Sequence, residues 1–464
     1  MRKRLLLVQP IPRDMRLVTK STRRLYPLGI LVLDALTPRE EWEVRIVDEG
    51  RERFDVDAVG TDTLTLAGIN SWTSQATRAY EIARNLRARG VPVIMGGPHP
   101  SVLPDEALKF SDSVCIGEAE SVWSAALQDV ANGGLKRIYR GGTPSLDLVP
   151  VLRNPLRDEY SYGSIQTSRG CPYDCDFCSV SAINGATIRY RPIPDVLEEF
   201  RTIKQKIVFV VDDNFIGSGR SGRERALELC QGLAGLRKEG VRRYWGTQAT
   251  QNLGRDSELL KWMYRAGCRL VLFGLESVNE GVIRKMHKGV NGAGDYSANI
   301  RNTQRHGIGV IGSFMFGNDG DSPSALEDTV RFIKTTRLAT QNLNFSSPLP
   351  GTRFFDEMAS TSRLRYTNFP EDWEKYNLNQ LVMEPKSLSS VELYRKRIWA
   401  EAQLNGRINL LRRTMRTLLE TRSPSTAVMT LAWNLQSGSR EKDYRREIEL
   451  LRRETVARSP VGAR

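Results

Sequence analysis

Cysteine is scarce in this chain, six residues in 464. That excludes the disulfide framework of a small secreted protein, which needs a cysteine-dense chain in an oxidising compartment. No secretory leader is legible at the start of the sequence. No apolar run approaches the ~20 residues that cross a bilayer, so no transmembrane segment is expected. Acidic residues fall short of basic ones, 54 against 68, for a formal charge of +14. The shortfall is uneven: residues 391–464 hold 16 Lys or Arg against 8 Asp or Glu, so +8 of the +14 lies there. A basic tail can meet anionic lipid, nucleic acid or an acidic partner, and can equally be the solvated surface of a helix. What is present is ordinary for a globular protein: 40% hydrophobic residues, and a length that at roughly 100–200 residues per domain gives two or three domains.

Half of the cysteines are concentrated in one place. Cys171, Cys175 and Cys178 stand as Cys-x3-Cys-x2-Cys within Ser168-Arg-Gly-Cys-Pro-Tyr-Asp-Cys-Asp-Phe-Cys-Ser179. Zinc would call for four protein ligands, usually in two pairs, and no second Cys or His pair lies nearby. Three thiolates on one short loop instead suit three corners of an iron–sulfur cube, whose fourth iron is left open to a small molecule. The stretch closely resembles the signature of the radical SAM enzymes, including the aromatic Phe177 before the last cysteine. The resemblance implies a [4Fe-4S] cluster on Cys171, Cys175 and Cys178, with S-adenosylmethionine on the open iron. A thiolate cluster belongs in a reducing compartment, so a cytoplasmic location is expected. Cys115, Cys230 and Cys268 stand singly and build no second cluster.

Residues 1–145 alternate strand and helix signals. Lys3–Gln9, Val44–Asp48 and Ala67–Ser71 read as buried parallel strands. A helix is expected from Pro27 to Leu36 and another from Thr77 to Arg89, closed by Gly90. Val91–Met95 runs into Gly96-Gly-Pro-His-Pro100, and Ser113–Ile116 into Gly117-Glu-Ala-Glu120. Strand followed by a glycine-rich turn, repeated, is the pattern of an open doubly wound, Rossmann-like α/β sheet, whose ligands lie beyond the carboxyl ends of the strands. Together with Tyr26-Pro-Leu-Gly29 and Ser71-Trp-Thr-Ser74, these turns resemble the cobalamin-binding domain that precedes many radical SAM domains. The resemblance implies cobalamin contacts at Pro27, Leu28, Gly29, Ser71, Trp72, Thr73, Gly96, Gly97, Pro98, His99, Gly117 and Glu118. The Asp-x-His-x-x-Gly motif that supplies histidine to cobalt elsewhere is missing, and His99 lies on a later turn, so cobalt is expected to lack a histidine ligand. A doubly wound domain that binds nothing is the competing reading. Val59–Gly68 looks longer than the third strand needs and has no functional account.

Residues 160–355 carry the cysteine loop and further alternating units. Strands are expected at Lys206–Val211, Tyr244–Thr250, Arg269–Phe273, Val310–Phe316 and Gln341–Phe345, with a helix around Leu259–Met263. Each strand runs into a polar cluster, which is where a parallel barrel gathers its site. The order resembles the partial (β/α)6 barrel of radical SAM proteins. That resemblance implies contacts to S-adenosylmethionine from Phe177, Asp212, Asp213, Asn214, Gln248, Thr250, Glu276 and Ser277. Helix capping is the plainer use of Asp213 and Glu276.

Residues 356–464 change character. Trp373, Tyr376 and Trp399 are scattered through polar sequence, and a mainly helical basic extension is expected. Leu404, Ile408, Leu411, Met415 and Leu418 recur at helical spacing as one apolar face, with Arg407, Arg412, Arg413 and Arg416 elsewhere on the helix. Packing of that face against the barrel is expected, contact with a membrane surface being the other use. Gly438–Arg464 is expected to fray at its end.

Taken over the whole chain, the resemblance is to cobalamin-dependent radical SAM enzymes of the hopanoid-methylase-like subgroup, through Val208–Gly217 and Pro348-Leu-Pro-Gly-Thr352. It implies a C-methyltransferase: a 5'-deoxyadenosyl radical removes hydrogen from an unactivated carbon of a small-molecule or lipid substrate, and methylcobalamin supplies the methyl group. It also implies an external electron donor of flavodoxin or ferredoxin type. Two alternatives stay open, cobalamin-dependent radical chemistry without methylation and a non-catalytic cobalamin sensor, though a sensor has no need of an open iron.

Overall fold

The computed structural model describes residues 2–14, 24–58, 60, 63–288, 295–436 and 440–458. Its first layer is a six-stranded parallel sheet with helices on both faces. The elements run β1 (Lys3–Gln9), α1 (Leu28–Leu36), β2 (Trp42–Asp48), β3 (Leu66–Asn70), α2 (Ala76–Arg87), β4 (Val93–Gly96), α3 (Pro98–Val102), α4 (Pro104–Ala107), β5 (Ser113–Gly117), α5 (Trp123–Ala131) and β6 (Ile138–Gly142). The strand order is β2-β1-β3-β4-β5-β6. Leu5, Leu6, Leu7 and Val8 are all fully buried, as a parallel strand covered on both faces requires. The chain adds β2 on one side of β1 and β3 on the other, so the strand order reverses between β1 and β3, the switch point at which such sheets open a crevice.

The second sheet is also six-stranded and wholly parallel. After β7 (Gly163–Ile165) come the short antiparallel pair β8 (Ser168–Arg169) and β9 (Arg189–Tyr190), with α6 (Val180–Asn184) between them. The units that follow are α7 (Ile193–Thr202), β10 (Ile207–Val210), α8 (Gly219–Lys238), β11 (Tyr244–Ala249), α9 (Ser257–Ala266) and β12 (Cys268–Glu276). They continue with α10 (Glu280–Lys285), α11 (Tyr296–Arg305), β13 (Gly309–Phe316), α12 (Ala325–Thr336) and β14 (Thr340–Phe345). The order β7-β10-β11-β12-β13-β14 forms the partial barrel. Local chemistry marks its boundaries: Asp256 caps α9 by accepting from the Leu259 N–H at 3.0 Å, and Gly267 ends the helix at φ +103°.

The last elements are α13 (Arg353–Ser360), α14 (Ser390–Asn405), α15 (Arg407–Thr421), α16 (Pro424–Gln436) and α17 (Glu441–Arg458). Residues 459–464, where fraying is expected, lie outside the described residues, as do Val59, Thr61 and Asp62 of the long approach to β3. The aromatic residues before α14 are not surface scatter. Trp373 and Tyr376 are buried in the core of the first sheet's α2 side, and Trp373 stacks on Phe369 with ring centroids 3.7 Å apart. Trp399, by contrast, stays partly exposed.

The expected single helix through Leu404 and Leu418 is corrected. Gly406 divides it, so Leu404 is buried at the end of α14 while Ile408, Leu411 and Met415 of α15 are exposed. Arg413 turns inward instead, donating to Leu404 O at 2.6 Å and Asn434 Oδ1 at 3.0 Å, and burial lowers its pKa to about 10. The polar side chains beneath α15 draw its polar stripe in and leave its apolar stripe outside.

Candidate functional site

The cysteine loop leaves β8 and enters α6. Gly170 at its start has φ +92°, and a Cβ there would lie 2.3 Å from Thr187 O, so glycine is the residue that fits. Backbone bonds shape the loop: Cys171 N–H donates to Gly185 O at 3.3 Å, and Cys178 N–H to Cys175 O at 3.1 Å. Side chains hold its outer edge, where Arg353 Nη1 donates to both carboxylate oxygens of Asp174 at 2.9 Å and Nε to Asp176, which also meets His287. The three thiols are half-buried and free. Burial raises all three pKa values, that of Cys175 to about 12, while the Lys288 ammonium pulls them down. Among the described residues no three His, Cys, Asp or Glu are grouped as ligands of one ion. Thiols that hold three separate irons of a cube need not converge on one point, so the donor set fits the cluster.

The polar strand ends divide into two groups. Asp212 is fully buried and accepts from the Thr167 N–H (2.6 Å), the Thr167 hydroxyl and the Ser168 N–H (3.1 Å). It therefore holds the strand that launches the loop, and burial raises its pKa. Asn214 is likewise internal, accepting from Thr250 N–H at 3.2 Å and donating to Gly217 O at 3.0 Å. The Thr250 hydroxyl is spent on Asn252, and Ser277 Oγ accepts from the Asn279 N–H at 3.1 Å. Gln248 is half-buried, with its backbone carbonyl accepting from Phe215 N–H at 3.0 Å.

Asp213 and Glu276 face the loop. Asp213 accepts from Gly170 N–H and Asn184 Nδ2, each at 2.9 Å, and borders the central cavity. Neither carboxylate caps a helix: Ser218 occupies the N-cap of α8, and Asn279 caps α10. Glu276 adopts φ +61° and pairs with Lys288, whose ammonium also donates to Gly274 O at 2.9 Å and lies 5.8 Å from the Phe177 ring centre. Lys288 escaped sequence reasoning because nothing in Lys285-Met-His-Lys288 marks the residue that folds back. Lys288→Met should lower stability by about 2–3 kcal/mol in chemical denaturation, because it strands the buried Glu276 charge. Lys288→Met/Glu276→Gln should recover part of that loss; equal loss in single and double variants would show that the pair is not coupled.

Between the two sheets lies a cavity of about 600 Å³. The first domain contributes the strand ends Gln9 and Asn70 on either side of the switch point, together with Pro27, Leu28, Gly29, Trp72, Gly96, Gly97, Pro98, Gly117 and Glu118. The barrel contributes Ser179, Val180 and Asn184, just beyond the last cysteine, and Asp213. Gln9, Asn70 and Gln75 form a floor: Asn70 Nδ2 donates to Gln9 Oε1 at 2.7 Å, and Gln9 Nε2 to Gln75 Oε1 at 3.0 Å. Gln75 also accepts from the Trp72 N–H at 3.1 Å, leaving the indole 54% exposed at the cavity. Glu118 is held by Arg169 at 2.7 Å and by Arg189, and Arg169 also takes Glu120 at 2.7 Å. These arginines tie the β5 turn directly to the cysteine loop, and the sequence offered no sign of that pairing.

Three expected contacts are not brought to the cavity. His99 is fully buried, 3.1 Å from Tyr80 Oη and 3.3 Å from Glu106, with its ring 5.1 Å from that of Trp373. Thr73 lies behind it, 3.4 Å from His99 Nδ1, and Ser71 is wholly buried with its carbonyl accepting from His99 N–H. On α3 it is Pro98 and Ser101 that face the cavity; the helical turn carries His99 to the other side. The glycine turns and the apolar walls suit the close approach of a large flat cofactor.

A switch-point crevice and the residues just beyond a three-cysteine barrel loop border one cavity, the arrangement of an enzyme with a cofactor on each side. Comparison with known proteins agrees. Residues 165–333 match the radical SAM superfamily and residues 16–127 the B12 binding domain. The chain is similar to the bacteriochlorophyllide d C-12(1)-methyltransferase of Chlorobaculum tepidum, 33% identical over 408 residues covering 84% of this chain and 85% of that one. It is similar to the hopanoid C-2 methylase of Rhodopseudomonas palustris, 29% identical over 73% of this chain and 65% of that one. Its fold matches a radical S-adenosylmethionine methyltransferase of Kitasatospora setae with cobalamin and a [4Fe-4S] cluster bound, with a TM-score of 0.69 at 16% identity, covering 99% and 100% of the two chains. The chain belongs to the cobalamin-dependent radical SAM family and is an enzyme.

Proposed function

We propose that this enzyme transfers a methyl group to an unactivated carbon of a hydrophobic small molecule. The observation that carries this is the shared cavity, which the glycine turns of the first domain and the residues beside the cysteine loop enter from opposite sides. When bound, the cluster and S-adenosylmethionine supply a hydrogen-abstracting radical, and cobalamin supplies the methyl group. Cys171, Cys175 and Cys178 hold the cluster. Asp213 and Glu276 accept from the methionine ammonium, Lys288 meets its carboxylate, and the Phe177 backbone and Gln248 approach the nucleoside. Asp212 and Asn214 position these groups from behind. Gln9, Asn70 and Trp72 support one side of the corrin, while Gly29, Gly97 and Gly117 let backbone come close. Ile11, Val32, Ile69 and Leu152 line the cavity with apolar surface and exclude water from a reactive radical.

The relatives named for bacteriochlorophyllide d and hopanoid indicate where to look for the substrate. An electron donor of flavodoxin or ferredoxin type would approach the outer edge of the loop, where Asp174 and Arg353 are exposed. Six free cysteines favour a cytoplasmic setting. The test is anaerobic reconstitution with both substrate classes, reading 5'-deoxyadenosine and S-adenosylhomocysteine formed together with a product one methylene unit heavier. A product of unchanged carbon count would overturn methylation in favour of another radical conversion.

The same placement makes a spectroscopic prediction. All three histidines are committed elsewhere: His99 to Tyr80, His287 to Asp176 and His306 to Asn302 O at 2.8 Å. Bound cob(II)alamin should therefore show no nitrogen hyperfine splitting from a protein ligand in its paramagnetic resonance spectrum. A nitrogen-split spectrum that collapses in His99→Ala would refute this arrangement.

A further inference from the structure

The α15–α16 hairpin is inside out by the usual rule that a surface helix buries its apolar stripe. On α15 the buried positions are Arg413, Thr417 and Thr421, four residues apart. The exposed ones are Ile408 (68%), Leu411 (65%), Met415 (50%) and Leu419 (71%). On α16, Val428 (66%) and Leu435 (64%) are exposed two turns apart, while Met429 and Asn434 are buried. Six large apolar side chains thus stand in water on one helical hairpin. The charges nearby are mostly of one sign: residues 407–436 contain five arginines, of which Arg413 is buried, and one acidic residue, Glu420. Glu420 is already paired with Arg337. Arg412, Arg416 and Arg422 are exposed, with no carboxylate partner among the described residues.

We propose that this hairpin is a docking platform for an anionic lipid surface. Apolar side chains that enter the acyl boundary, flanked by arginines that meet headgroup phosphate, are the two components of interfacial binding. A second copy of the chain is the poorer occupant, because a symmetric contact would bring together two faces that each carry Arg412, Arg416 and Arg422 with no carboxylate to oppose them. The platform sits at the base of the barrel. Arg269 donates to Ser425 Oγ at 2.7 Å, Thr426 Oγ1 to Gly307 O at 2.6 Å and Thr340 Oγ1 to Asn434 Oδ1 at 2.7 Å, all at or before the first residues of β12, β13 and β14. The cysteine loop and the cavity lie at the other end, a strand length of roughly 20–30 Å away. Docking would therefore hold the enzyme on a membrane with its cavity facing outward, and it does not depend on which carbon is methylated.

The experiment is co-sedimentation of the full-length holoenzyme with phosphatidylcholine vesicles, with and without phosphatidylglycerol, at low and high salt, beside light scattering for self-association. Binding is expected to the anionic vesicles at low salt and to fall as the Debye length shrinks from about 10 Å to about 3 Å. Arg412→Glu/Arg416→Glu and, separately, Leu411→Asp/Leu419→Asp should each weaken it by about tenfold or more. All four positions are exposed, so thermal melting and S-adenosylmethionine cleavage should stay unchanged. Absence of binding at low salt, or binding indifferent to both pairs of substitutions, overturns the proposal. A dimer that Leu411→Asp/Leu419→Asp dissolves would assign the face to a second copy instead.

Discussion

Alanine at Cys171, Cys175 or Cys178 should remove the iron–sulfur cluster and, with it, all cleavage of S-adenosylmethionine. On the proposed assignment each thiolate would hold one iron of the cube, and the eight residues from Cys171 to Cys178 contain no further cysteine or histidine to replace one. The neighbouring carboxylates cannot stand in: Asp174 and Asp176 are turned outward onto Arg353. Fold stability should change little, because the loop is pinned by Gly170, Arg353 and its backbone bonds. Iron and sulfide content after anaerobic reconstitution, absorbance near the cluster band and 5'-deoxyadenosine yield are the readouts. Cleavage that survives in any of the three variants would end the assignment of the loop as the cluster site.

Gly97→Val should abolish retention of cobalamin. Gly97 has φ +95°, and a Cβ there would meet Asn70 Oδ1 at 2.1 Å and both the N and O of Ser71 at 3.0 Å. With ψ at -175° this backbone is essentially confined to glycine and costs a branched residue about 1–3 kcal/mol, and the overlap about 1–3 kcal/mol more. The strain has one direction in which to relax, pushing Asn70 and the turn before Trp72 off the cavity floor. Gel filtration after loading, with cobalamin read by its visible absorbance, tests this. Gly90→Ala is the control, since it shares a positive φ (+75°) but has nothing within 4 Å of its Cβ. It should lose some stability and keep the cofactor; equal retention by both variants would mean that the turn does not shape the site.

Much of the site was legible because it is local. Three cysteines within eight residues stay together in any packing, since one loop presents all three thiols. Glycine-rich turns after apolar runs announce strand ends, and the switch-point rule says which ends open on a ligand. Adjacent residues were harder. Asp212 and Asp213 share one sequence context, yet one is sealed under Thr167 and the other borders the cavity, because successive side chains at a strand end point to opposite sides. His99 and Pro98 divide in the same way on α3.

Periodicity carried less than it promised. The spacing of Ile408, Leu411 and Met415 correctly indicated a helical stripe, and it contains no information about what lies opposite. The tertiary structure supplied Asn434 beneath α15, so Arg413 went in and the apolar stripe stayed out. Lys288 reaches Glu276 across 12 residues, and Arg169 reaches Glu118 across 51. Pairs of that kind are decided by how sheets and loops meet. By itself the sequence determined the two α/β layers, the three-cysteine loop and the cofactors of the family, because those depend on ligand chemistry and on strand and helix periods. Which carboxylate faces the cavity, where the histidines go and which face of the last helices meets water were settled only by tertiary packing, where burial and distant partners override what a residue's neighbours in sequence imply.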